Sequence, residues 1–219
     1  MAKEAWLAES ALPELPNWLG DVVTAVRKLR IEDLGLMRPP EQGGRAGAVL
    51  ILFGEGELGP DVLILQRAAE MREHAGQPAF PGGAVDSTDV DSVAAALREA
   101  QEETGVEPTG VTVFGALPDL WLPPSGFIVT PVLGWWLAPI PVGVMDPAEV
   151  AAVHRVPISD LLNPANRVEV IHPSGYVGPG FETHDMLVWG FTGGLLSQLF
   201  DAAGWTQPWL PARKVPIET

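Results

Sequence analysis

Apolar residues recur along this chain with two periods, and the change from one to the other marks its elements. From Pro16, Trp18, Val22, Val26 and Leu29 repeat at helical spacing, with Pro13 and Pro16 punctuating the start. Ala46–Phe53 and Val62–Gln66 are apolar, β-leaning runs, and the Gly-rich stretch 54–60 between them reads as a hairpin-like connection. An Ala-rich segment then runs from Ser92 to Thr104, with Asp91 as a suitable N-cap and Gly105 as a left-handed terminator. Val111–Gly115 and Phe127–Trp136 read as core strands, with Pro118–Gly126 as a loop able to close over a ligand. A short helical stretch is expected at Ser159–Leu162, and a Gly/Pro loop at Pro173–Gly180. The last expected element is a helix from Leu187 to Leu199 that buries Trp189, Phe191, Leu195 and Leu199. Residues 1–15 and the proline-rich tail from Gln207 carry little apolar periodicity and are expected to be loose. The division predicted is an N-terminal arm and helix over 1–44, one domain over 45–204, and a flexible tail over 205–219.

Composition narrows the function more than the fold. With 219 residues and 47% apolar content, one domain with a substantial core is the natural organisation. A net charge of −15 disfavours a general nucleic-acid surface. It leaves room for a small phosphorylated ligand, because a bound cation and a few arginines can invert the local field. There is no cysteine, so no disulfide framework exists. Trp121–Met145 holds no charged residue, but prolines and glycines interrupt it in a way that suits strands and turns. Met1–Ser10 contains Lys3, Glu4 and Glu9 and no apolar signal segment. A soluble, cytoplasmic protein that does not enter a membrane is expected.

The chemistry concentrates in Arg67–Val106. Glu99, Glu102 and Glu103 follow Arg98 at spacings that bring the three carboxylates to one helix face. Such crowding destabilises a bare helix by about 0.2–0.5 kcal/mol per like-charged pair. Hard divalent cations, in contrast, require several carboxylate oxygens at close range. Taken alone, E-x-x-E-E reads as a solvated acidic face; its surroundings reverse that.

The segment resembles the Nudix box, G-x5-E-x7-R-E-U-x-E-E-x-G-U, where U is bulky and apolar. Arg98–Val106 fits, with the small Ala100 at one U position. Gly83 to Arg98 is one residue longer than the family spacing, and Asp89 stands where the first glutamate falls. An extra loop residue costs little, whereas one inside the helix would rotate the carboxylates off their face. The insertion is therefore assigned to the loop around Asp86–Asp91. Upstream, Leu63-Ile64-Leu65-Gln66-Arg67-Ala68, Arg72, Gly76 and Phe80-Pro81-Gly82-Gly83 resemble the motif of the coenzyme A pyrophosphatase branch, with Leu65 replacing a threonine.

The resemblance implies an α/β fold: the Nudix α/β/α sandwich, with a mixed β-sheet and the box as loop–helix–loop. It implies Mg²⁺ or Mn²⁺ held by Glu99, Glu102 and Glu103, with the Gly83 carbonyl as a further ligand. Arg98 would orient Glu102, and Glu149, in a later loop, is the candidate for a further carboxylate. The expected catalytic set is thus Arg98, Glu99, Glu102, Glu103 and Glu149. Arg67, Arg72, His74 and Phe80 are the expected substrate contacts; the arginines read otherwise as surface charges, and His74 as a solvated loop residue. The implied reaction is hydrolysis of the pyrophosphate of coenzyme A or a derivative to 4′-phosphopantetheine and adenosine 3′,5′-bisphosphate. A broader nucleoside-diphosphate-X hydrolase and a non-catalytic nucleotide sensor are the alternatives. The expected partner is this small nucleotide, with no nucleic acid, and a homodimer is compatible with the sequence.

Overall fold

The computed structural model describes residues 3–34, 38–69, 75–123, 125–183, 186–209 and 213–217. In chain order, the elements of its first half are β1 (Trp6–Leu7), α1 (Gly20–Lys28), β2 (Arg45–Gly56), β3 (Gly59–Arg67), β4 (Pro78–Ala79), β5 (Gly82–Ala84) and α2 (Ser92–Thr104). The second half adds β6 (Val111–Ala116), β7 (Leu120–Leu122), β8 (Phe127–Trp136), β9 (Val150–Pro157), α3 (Ile158–Leu162), β10 (Arg167–Ile171), β11 (Val177–Glu182), β12 (Leu187–Val188), α4 (Gly190–Ala202) and β13 (Lys214–Pro216). Among the described residues nine strands join in one sheet of path β1-β6-β8-β2-β3-β4, with β5 on β2, β7 on β8 and β9 on β3. The sheet is mixed. β2 and β8 run parallel from Arg45↔Phe127 to Phe53↔Trp135, while the remaining pairs in it are antiparallel.

Alternation along β2 divides the core into two layers. Ala48, Leu50 and Leu52 face α2, where Ala95, Ala96 and Ala100 pack against them. Ile51 and Phe53 face the other way, into a layer with Val22 and Val26 of α1 and Leu195, Leu196 and Leu199 of α4. The sheet between these helix layers is the expected α/β/α sandwich. A second sheet of order β12-β11-β10-β13 stands beside α4. Among the described residues no helix is long and apolar enough to cross a membrane.

Several sequence expectations differ from the fold. The N-terminal arm is not loose: Trp6 and Leu7 pair with Ala116 and Gly115, and the Lys3 backbone N–H donates to Asp119 Oδ2 at 2.9 Å. Pro118–Gly126 is not an open loop, because Leu120–Leu122 pair with Val129–Phe127 of β8. Pro173–Gly180 is largely a hairpin, in which Ile171↔Val177 closes the β10–β11 ladder. The last helix starts three residues later than expected, because Leu187 and Val188 pair with Glu182 and Phe181. In the tail, Lys214–Pro216 add a parallel strand to β10. β1 and β13 find their partners far along the chain, whereas β7 and β12 pair with strands close in sequence but are themselves only three and two residues long, too short to show a period.

Candidate active site

Helix α2 supplies the acidic groups, and its ends are fixed as its sequence suggests. Asp91 Oδ1 accepts hydrogen bonds from the Val93 and Ala94 N–H groups, both at 2.9 Å. Gly105 closes the helix at φ 76° with its N–H on the Gln101 carbonyl. The buried positions Ser92, Ala95, Ala96, Ala100 and Glu103 form one stripe at helical spacing. Ala100 is small where the family pattern is bulky because it lies fully buried against the central strands. The extra residue lies outside the helix. Asp86 and Asp89 form a turn in which the Asp89 N–H donates to the Asp86 carbonyl at 3.0 Å, and α2 runs uninterrupted after it.

That turn gives Asp89 a role that spacing left undefined. Arg98 Nε and Nη2 donate to Asp89 Oδ1 and Oδ2 at 3.1 and 3.0 Å, a two-pronged pair. Arg98 Nη2 also donates to the Ala84 carbonyl at 3.1 Å, and Nη1 lies 2.9 Å from Glu102 Oε2 and 3.0 Å from Glu99 Oε1. Arg98 is therefore the hub that joins the loop, β5 and two of the three glutamates. The hydrogen bonds from Arg98 and then from the Asp86 N–H hold the Asp89 carboxyl below its usual range.

Glu103 is in a different situation. It is 3% exposed and accepts the Gly82 N–H at 2.9 Å. Burial pushes its pKa up to about 8, against the Gly82 hydrogen bond and the charge of Arg67; the charges of Glu99 and Glu149 add to the rise. Glu99 is raised for the same leading reason, burial, with Arg98 opposing and Glu102 and Glu149 adding. The predicted residues Arg67, Glu99, Glu103 and Glu149 thus share one electrostatic environment. The backbone explains how Glu149 reaches it: the Ala68 N–H donates to the Glu149 carbonyl at 2.8 Å, and Arg67 stands opposite Val150 in the ladder.

The turn facing these acids requires glycine at Gly82. A Cβ there would collide with the Ala48 carbonyl oxygen and the Val49 Cα, whereas one on Gly83 would meet only the carboxylate end of Glu99, which can shift. The Gly82 N–H was not foreseen as a contact to Glu103, although the adjacent glycines of F-P-G-G signal close backbone approach. Gly83 itself pairs with Ala48 in the sheet. Phe80 differs from expectation: it is 3% exposed and packed in the α1/α4 core layer, so its ring anchors the turn and has no open face for a substrate. Arg67 is half-buried, and its Nε has no hydrogen-bond partner among the described residues. Arg72 and His74 lie outside the described residues.

The donor set fits a hard divalent cation. It consists of carboxylate oxygens, one of them desolvated and held by a single backbone N–H. Among the described residues no three acidic or imidazole groups already form a metal cage, and the Glu102 side chain is 59% exposed. The exposed Glu102 carboxylate is held through Oε2 by Arg98 Nη1 at 2.9 Å.

Comparison with known proteins agrees with this geometry. A family model described as the NUDIX domain matches residues 43–174. An uncharacterized Nudix hydrolase, NudL, of Citrobacter koseri is 39% identical over 178 residues, covering 75% of this chain and 88% of its own. The uncharacterized NudL of Escherichia coli K12 is 38% identical over 148 residues, 64% of this chain and 73% of its own. Among solved structures, a MutT/nudix family protein from Enterococcus faecalis is similar over 85% of this chain and 74% of its own, at 15% identity and a TM-score of 0.48. The Nudix hydrolase RenU of M. smegmatis is similar over 54% and 74%, at 24% identity and a TM-score of 0.45.

Proposed function

The chain belongs to the Nudix family, and within it we propose a divalent-metal-dependent pyrophosphohydrolase that cleaves coenzyme A and its derivatives. The observation that carries this reading is the placing of Arg67 beside the buried acids. Its motif-matching guanidinium, whose Nε has no partner among the described residues, exerts its charge on Glu103. A diphosphate brought to the acids by a cation would find a fixed positive fork there. Glu99, Glu102 and Glu103 would hold Mg²⁺ or Mn²⁺, with the Gly83 carbonyl as a further donor. When bound, the ion neutralises phosphate oxygens and makes a coordinated water acidic enough to react near neutral pH.

The chain's own residues do the rest. Arg98 holds Glu99 and Glu102 in register, and Asp89 holds Arg98. The Gly82 N–H fixes one oxygen of Glu103, which leaves the other to point at the ligand. Water oxygen attacks one phosphorus, the bridging P–O bond breaks, and the products are 4′-phosphopantetheine and adenosine 3′,5′-bisphosphate. The water proton passes to a carboxylate of the set Glu99, Glu102, Glu103 and Glu149.

The test is product analysis by chromatography with coenzyme A, ADP-ribose and NADH supplied separately, in Mg²⁺ and in Mn²⁺. Coenzyme A should yield adenosine 3′,5′-bisphosphate, and Glu103→Gln should abolish it. Preferential cleavage of ADP-ribose would replace the coenzyme A reading with the broader hydrolase. No turnover with either metal, together with retained nucleotide binding, would favour a sensor.

A further inference from the structure

A cleft of about 340 Å³ opens between the end of β3 and the second sheet. Its walls are Pro78, Met186, Leu187, Trp189 and Val215, with Gln66 at the rim, and among the described residues no charged one lines it. The volume is within the range of pockets that take small organic groups. The cleft is shaped in advance. Trp189 stacks on the His172 ring with centroids 5.7 Å apart, and Thr192 Oγ1 donates to the Pro78 carbonyl at 3.0 Å, tying α4 to β4. Val215 belongs to β13, so the C-terminal strand builds one wall.

Two features connect this cleft to the acids. Gln66 is the chain neighbour of Arg67 at the end of β3, where successive side chains look to the two faces of the sheet. Pro78 precedes Gly82, the hydrogen-bond donor to Glu103, by four residues, a reach of at most about 14 Å. A ligand with its phosphates at Arg67 must be elongated to enter the cleft. The lining side chains offer apolar contact from Met186, Leu187, Trp189 and Val215 and amide pairing from Gln66, a set that suits an arm of methylenes and amides better than a polyhydroxylated sugar.

We propose that the Gln66–Trp189–Val215 cleft is the subsite for the uncharged, partly apolar arm attached to the diphosphate, and so selects substrates with such an arm over sugar-linked ones. This rests on the pyrophosphohydrolase reading above and assigns the arm its place. In coenzyme A the arm is pantetheine. Gln66 is placed to meet its amide groups and the walls its methylenes.

The test compares the wild-type protein with Val215→Asp and Trp189→Ala on coenzyme A and ADP-ribose. Each variant should lose about tenfold or more in kcat/KM for coenzyme A, through KM, since each removes or poisons apolar contact. Cleavage of ADP-ribose should stay within about twofold, as expected for a group the reaction centre does not use. Hydrogen exchange on the wild-type protein gives a second measure: 4′-phosphopantetheine should slow exchange in 186–189 and 214–217. Unchanged coenzyme A kinetics in both variants, equal losses on both substrates, or unaltered exchange in these segments would overturn the subsite and leave the reaction standing. A wild-type protein that cleaves ADP-ribose and not coenzyme A would overturn the reading beneath it as well.

Discussion

At the residue scale, the contrast between Glu103 and Asp89 defines the site. Both are acidic and shielded, but Asp89 is matched by Arg98, whereas Glu103 is desolvated with one N–H for compensation. A carboxyl raised from 4.5 to about 8 binds more protons folded than unfolded across that interval. Its stability is therefore full below pH 4.5 and is lost as pH rises through about 8. In chelator, the melting temperature should fall over this window, and Glu103→Gln should flatten the fall while removing turnover. Equal slopes in the two proteins would show that another group sets the dependence. Asp89 has the opposite sign: its depressed pKa stabilises above the ordinary value of 3.8 and is lost on acidification. Asp89→Asn should weaken activity about 10- to 100-fold, mainly as a raised metal requirement, because it loosens a residue that orients ligands. Titrating Mn²⁺ against rate reads this directly. Sequence spacing picked out Asp89 but could not assign its partner, because the loop conformation decides where the side chain points.

At the element scale, α2 was the most legible part of the chain. Its cap, its Ala-rich interior and its glycine stop are local signals, and all three act within the helix itself. Asp91→Ala should cost about 0.5–2 kcal/mol in urea denaturation, the usual loss for an N-cap, with kcat changed little if the last turn holds. Gly105→Ala should cost about 1–2 kcal/mol, because φ of 76° disfavours any side chain and the new methyl would press on Met145. A loss in Gly105→Ala comparable to an ordinary surface change would argue that the helix end relaxes. The two-residue strands β1 and β12 left no trace in the pattern, since two residues cannot show a period and the ladder of β1 is supplied by a partner far along the chain. The turn at Phe80–Gly83 was half legible: the glycines signalled close approach, but not that Phe80 lies inside the core.

For the whole molecule, the sandwich is what the resemblance carried by Arg67–Val106 implies, whereas the second sheet and both terminal strands had no signal in the sequence. The N-terminal arm does more than cover an edge. Lys3 Nζ donates to Ser92 Oγ at the start of α2, and Thr130 Oγ1 donates to Asp119 Oδ1 in the same buried network. Removing residues 1–8 should lower the melting temperature and promote association as the β6 edge is uncovered, a change measurable by light scattering. An unchanged, monodisperse protein would show that the edge protects itself. The same pairing matters while the chain is being made. Trp6 closes on Ala116, so β1 leaves the ribosome about 110 residues ahead of its partner strand. At about 5–20 residues per second that wait is roughly 5–20 s. Throughout it, an aromatic strand has no ladder to join and stands exposed to non-native pairing.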